Sequence, residues 1–247
     1  MPALEIRPVV RKFPRFPMML TRLPALLAGC LAATALSAQE LPALPASGLY
    51  GELRNNHYTA HEGRFRIPIP VLAELGGKIF DTENVVSFTD EVSTHISIAC
   101  FPLDMANKWE FETRGAKDFL AWFYAGHVLP NFERRFHGVA TERSLFTPEL
   151  KGGALLVFTL LPGGSAFQGK ASVLDVADAP PPVAKRGTLL FVESGCVFIL
   201  SSELAERATQ RSAFRKSADE ENEILRARLI ELSHRLQVPA PRPPAKR

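Results

Sequence analysis

Between residues 64 and 103 the chain alternates apolar and polar positions with a period of two. In RFRIPI, Phe65, Ile67 and Ile69 fall on one side and Arg64 and Arg66 on the other, the pattern of a strand with one buried face. Pro68 and Pro70 cannot donate to a ladder, which assigns this segment to a sheet edge or a strand end. ENVVSFTD and THISIACFPL continue the pattern; the second sets Ile96, Ile98 and Cys100 against Ser97, Ala99 and Phe101. The Asp90-Glu91 link between them predicts a hairpin.

From residue 116 the spacing changes. Phe119 and Phe123 lie four apart, with Leu120 and His127 beside them, which predicts a helix near 116–128. Pro130 ends it or kinks it into a second short helix. Strands return with VATERSLFT, GGALLVFTLLP and GTLLFVESGCVFILSS, the last folded at Glu193-Ser194-Gly195. Pro162-Gly163-Gly164 is a turn, and LDVADAPPPVAKRG is a proline-rich surface excursion. The final element is the clearest. Ser217 and Glu220 form a capping box, acids open the helix and His234 and Arg235 close it. Leu225, Leu229, Leu232 and Leu236 make one continuous stripe, read as a core-packing face. Pro239 stops the helix.

The expected fold class is α+β: about six strands in a mostly antiparallel sheet, with helix stripes buried against it. The order β-β-β-α-β-β-β-α, with stretches such as GRFRIPIP, LLPGGS and GTLLFVESGCVFIL, resembles the PsbP-like α/β sandwich. That fold is named for an extrinsic subunit of photosystem II and occurs in exported bacterial proteins. The resemblance covers roughly residues 55–238. It implies an accessory or binding module and transfers no functional residues.

Composition changes this picture only at the ends. The chain has 247 residues, 46% apolar and 22% charged, with a net charge of +3. Residues 1–38 hold five of the basic residues and one acid, leaving the remainder at −1. No concentrated basic face for nucleic acid is implied. Arg22 followed by the uncharged Leu23–Leu36 reads as a secretory leader over 1–38, shorter than the ~20 residues that span a bilayer. The paired Met18 and Met19 suggest a start there, with 1–17 a misassigned head. The leader reads as cleaved near residue 38; LAGC at 27–30 resembles a lipobox, which makes Cys30 a possible lipidation site as the alternative. Residues 39–54 read as a linker, 55–238 as one domain and 239–247 as a disordered tail. Either processing route leaves the domain periplasmic, secreted or lipid-anchored.

Candidate chemistry is sparse. His57 and His61 have helical metal-ligand spacing, but on an extended segment they stand about 13 Å apart, and no metal or cofactor is expected. Ser165 follows a Gly-Gly turn rather than a nucleophile elbow. Tyr58, His127 or His137 could serve acid–base work only if the fold gathers them. Cys100 and Cys196 are a possible disulfide in an oxidising compartment; two separate buried thiols explain the pattern equally well. The expectation is an exported, non-catalytic binding module for an unknown protein or small ligand, on the sheet or in the groove beside a helix. An enzyme of hydrolase type with a dispersed site and a carrier of apolar ligands are the alternatives.

Overall fold

The computed structural model describes residues 48–167, 183–210 and 213–240. The leader, Cys30, most of the linker and residues 241–247 lie outside them, as does most of the proline-rich excursion.

Among the described residues, ten strands form two sheets. Strands β1 (Glu52–Arg54), β2 (His57–Thr59) and β3 (Arg66–Pro68) make a small antiparallel sheet. The pairing of β1 with β2 begins inside the stretch read as linker, because Leu53 pairs with Tyr58 across the tight Asn55-Asn56 turn, where both asparagines have positive φ. Strands β4 (Lys78–Asp81), β5 (Val85–Thr89), β6 (His95–Pro102), β7 (Ala140–Thr147), β8 (Ala154–Pro162), β9 (Val183–Glu193) and β10 (Cys196–Glu203) form the main sheet. Their order is β4-β5-β6-β10-β9-β8-β7, and every pairing is antiparallel.

The expected hairpins are present. Asp90 accepts from the amides of Val92, Ser93 and Thr94 at 2.7–2.9 Å, which fixes the turn from β5 to β6. Ser194 and Gly195, both at positive φ, supply the tight connection from β9 to β10 that matches strand twist.

Helices cover the sheet on two sides. After β6, helix α1 (Met105–Phe123) is capped by Asp104, which accepts from the Asn107 amide at 2.7 Å, and is broken at Gly115 (φ 75). It starts eleven residues before the expected helix. A widened turn of π type over Tyr124–Val128 leads into α2 (Leu129–Glu133), with Pro130 in its first turn, where a missing N–H costs no helical bond. The short α3 (Glu206–Thr209) follows β10, and α4 (Ala218–Arg235) carries the expected capping box.

The alternation of each strand separates two cores. On the first face, Val86, Phe88, Ile98, Cys100, Phe198, Leu200, Leu189, Phe191, Leu156 and Phe158 meet the α4 stripe and Tyr58, Phe65 and Ile67 of the small sheet. Leu225 and Leu229 are fully buried there. Gly187 of β9 permits this approach: a Cβ in its place would lie 2.8 Å from Leu229 Cδ1 and 3.2 Å from Leu225 Cβ. On the second face, Phe119, Leu120, Phe123, Tyr124 and Val128 pack on Leu155, Val157, Leu190 and Val197.

A buried cation pins the first face at its edge. Lys185 of β9 is fully buried and pairs with Glu142 at 2.5 Å and Glu221 at 3.1 Å, while donating to the Ala218 carbonyl at 3.1 Å. Arg207 of α3 bonds the same Glu221 at 2.9 Å. The register slips between Thr141 and Arg143, and the extra residue this bulge introduces is Glu142.

Candidate functional site

Helix α1 leaves part of the second face uncovered. Its apolar side rests on β8, β9 and the start of β10, while Phe80 on β4 and Phe101 on β6 stay 45% and 36% exposed. Between the helices and this open half runs a groove of about 550 Å³. Its floor is Val197 and Ile199 of β10 with Ser97 and Phe101 of β6; its wall is Phe123, Val128 and Phe132. The volume falls in the range of small-molecule sites, and the lining has their apolar character. His127 lies on the rim, packed edge-on against Trp122 (5.4 Å between ring centres) and tilted against Phe123 (4.7 Å).

One step further along the strands the same face turns polar. Ser97, Ser201 and Thr188 lie side by side on β6, β10 and β9. Beyond them, Glu203 of β10 stands opposite Arg186 of β9, and His95 begins β6 on the same side as Ser97. The fully buried Glu203 carboxylate accepts from Ser165 Oγ at 2.6 Å and the Ala166 amide at 3.1 Å, with Arg186 at 3.5 Å. Arg186 also donates to the Gly164 carbonyl at 3.3 Å, and its guanidinium lies 6.0 Å from the centre of the Phe132 ring.

Three polar atoms here lack a hydrogen-bond partner among the described residues: His95 Nδ1, Arg186 Nε and Thr188 Oγ1. Buried polar atoms are normally satisfied, so three orphans on one face, on the two strands that flank β10, mark a place where water or a ligand group fits. His95 is held neutral: burial, with a smaller push from the Arg186 charge, brings it down to about 4.

The residues singled out from sequence are distributed as follows. Tyr58 is buried in the first-face core and donates to Asp81 Oδ2 at 2.8 Å; burial and then Asp81 push its phenol above the ordinary range. Asp81 also accepts from the amides of Tyr50 and Gly51 at 3.0 and 2.8 Å. Tyr58 and His127 are thus on opposite faces, and His137 is exposed in the turn before β7. The fold does not gather them. His57 is tied to the Asn55 carbonyl at 2.8 Å, and His61 packs edge-on against Tyr50. Among the described residues no group of three or more His, Cys, Asp or Glu side chains is arranged to hold a metal. Ser165 anchors its turn: its Oγ accepts from the Phe167 amide at 3.1 Å. Cys100 and Cys196 are free thiols on adjacent strands and the same face. The Glu203–Arg186–His95 row was not anticipated; its only sequence signal is a charged or ring-nitrogen residue at one end of each alternating strand.

No protein-family model matches the chain, and no curated protein does. Among solved structures it is similar to the Ran-binding protein Mog1p of Saccharomyces cerevisiae, at 10% identity over 76% of this chain and 96% of that one, with a TM-score of 0.41. It is similar to cyanobacterial PsbP from Synechocystis sp. PCC 6803, at 10% identity over 81% of this chain and 99% of that one, with a TM-score of 0.43. A protein from Bacteroides thetaiotaomicron VPI-5482 is similar at 8% identity over 78% of this chain and 51% of that one, with a TM-score of 0.39. PsbP, the likeness expected from the order of elements, is among these neighbours at the level of fold, and nothing finer follows from them.

Proposed function

We propose that the protein is an exported, non-catalytic binding module whose second-face groove takes a small amphipathic ligand. The observation that carries this reading is the half-covered sheet face, apolar along the groove and polar at one end. An apolar body would lie on Val197, Ile199 and Phe101. A polar end would reach toward the row whose His95, Thr188 and Arg186 atoms lack partners. Export rests on the leader pattern of residues 1–38.

Anilinonaphthalene sulfonate, an apolar ring system with one anionic group, is a suitable probe. The folded protein should bind it saturably, with enhanced fluorescence. Ile199→Glu, which puts a charge on the groove floor, should abolish that binding while circular dichroism stays native. Leu53→Glu, on the exposed β1, should leave it intact. Saturable binding unchanged by Ile199→Glu, or no saturable binding at all, would overturn the proposal.

A further inference from the structure

A second cavity, of about 770 Å³, opens on the other side of the molecule. It lies between the small sheet and the turn joining β9 to β10, and its lining includes Tyr50, His61, Arg64, Cys196, Phe198 and Val238. Cys196, half-buried, therefore has a path to solvent. Behind it, Cys100 is buried in the first-face core. The register pairs Cys196 with Pro102 and Phe198 with Cys100, so the two cysteines are diagonal neighbours on one face of adjacent strands.

The surroundings make the two thiols unequal. Hydrogen bonding from Cys100, aided by the Arg64 charge and opposed by burial, brings Cys196 down to about 7. The same hydrogen bond, together with burial, raises Cys100. Arg64 is held in place by Glu62 at 2.7 Å and by Asn84, with its side chain 15% exposed. An accessible thiol beside a fixed cation, with a second thiol behind it, is the arrangement that thiol–disulfide exchange requires.

We propose that Cys196 and Cys100 are an attacking and a resolving thiol that together reduce a low-molecular-weight disulfide entering the cavity. Cys196 thiolate attacks one sulfur of the disulfide RSSR. A bond forms between Cys196 Sγ and that sulfur, and the other half leaves as RS⁻. Cys100 then attacks Cys196 Sγ, the second RS⁻ departs, and the Cys100–Cys196 disulfide closes. Two protein thiols are oxidised, RSSR is reduced to two RSH, and the cysteine protons end on the two released thiols. The site is separate from the second-face groove and does not depend on any ligand binding there.

Oxidised glutathione is the probe. Fully reduced full-length protein is exposed to it, quenched by alkylation at intervals and digested. Products are followed on the Cys100 and Cys196 peptides, so that Cys30 does not confuse the count. The wild type should pass through glutathione on Cys196 and finish as a Cys100–Cys196 cross-link. Cys100→Ser should stop at the Cys196 adduct, and Cys196→Ser should leave Cys100 unmodified while the protein stays folded. The initial rate should rise with a midpoint near pH 7, below the ordinary thiol value of about 8.5. A wild type that accumulates the Cys196 adduct with no cross-link would overturn the resolving role. Modification of Cys100 ahead of Cys196, or an ordinary pH midpoint, would overturn the attacking role. The wild-type time course and its pH dependence decide the matter even if a serine variant fails to fold.

Discussion

On the first face of the main sheet Phe88, Ile98, Leu200 and Leu229 are completely buried, whereas on the second face Phe80 and Phe101 keep 45% and 36% of their surface in solvent. The two faces belong to the same strands and differ in their covers. The first is closed by α4, whose leucines descend onto Gly187, and by the small sheet. The second is closed by α1 over β8, β9 and the start of β10, while the flank of β4–β6 stays open. Of the five buried side-chain atoms without a partner among the described residues, three, His95 Nδ1, Arg186 Nε and Thr188 Oγ1, lie on the second face. A protein selected only for stability gains nothing from leaving one face open. On the function proposed above, the first face serves stability and the second binding.

The largest test of that assignment is Leu229→Ala. Removing a fully buried leucine from a closed interface is expected to cost about 2–5 kcal/mol, read as a fall in the urea midpoint with an unchanged slope. The upper part of that range is expected, because a sheet on one side and a helix backbone on the other limit collapse into the cavity. A loss of only a few tenths of a kcal/mol would mean that α4 is peripheral, and the contrast between the faces would fail.

Acid should expose the second face's polar row. Unfolding releases His95 from burial and from Arg186, and its value returns from about 4 to 6.5. Between those two pH values the unfolded chain binds a proton that the folded chain does not. Stability from this residue is therefore fully present above pH 6.5 and is lost as pH falls toward 4. The loss is on the order of 2–3 kcal/mol after allowing for partial exposure. His95→Gln should flatten the urea midpoint across this window and leave it little changed at pH 7.5. An equally steep decline in the variant would assign the acid sensitivity to other groups.

The legible parts of the fold are those where local period and tertiary burial agree. The α4 leucines and the alternation in β5, β6 and β10 are of this kind, since each element buries one regular side. Where burial departs from a regular stripe, sequence reading loses the element. Helix α1 begins at Met105, but its first half turns Met105 (84% exposed) and Trp109 (62%) outward and shows no stripe to detect. Strand β4 carries Asp81 on its inner side as the acceptor for Tyr58, so a polar residue breaks the alternation. Strands β1 and β2 have three residues each, too short for a period. The candidate sites were less legible still. The groove needs β6 beside β10, a pairing between distant segments, and the cysteine pair depends on the same pairing. Sequence phase placed each cysteine among apolar neighbours but could not supply the register that brings Cys100 and Cys196 together.

The smallest expected effect on stability is the most informative about the second face. Phe101 lines the groove, lies on the open flank of the sheet and is one-third exposed. Phe101→Ser removes apolar surface that water already reaches in part, from a site with no closed cavity to leave behind. The stability cost should stay within about 1 kcal/mol, well below that of Leu229→Ala. Binding should respond in the opposite order. The aromatic ring is a large share of the groove's apolar lining, so Phe101→Ser should weaken the anilinonaphthalene sulfonate complex by at least about tenfold, or 1.4 kcal/mol. Leu229→Ala, measured below its unfolding transition, should leave the affinity near that of the wild type. If Phe101→Ser instead destabilises as strongly as Leu229→Ala with affinity intact, the open flank is a structural surface, and the separation of stability from binding between the two faces is wrong.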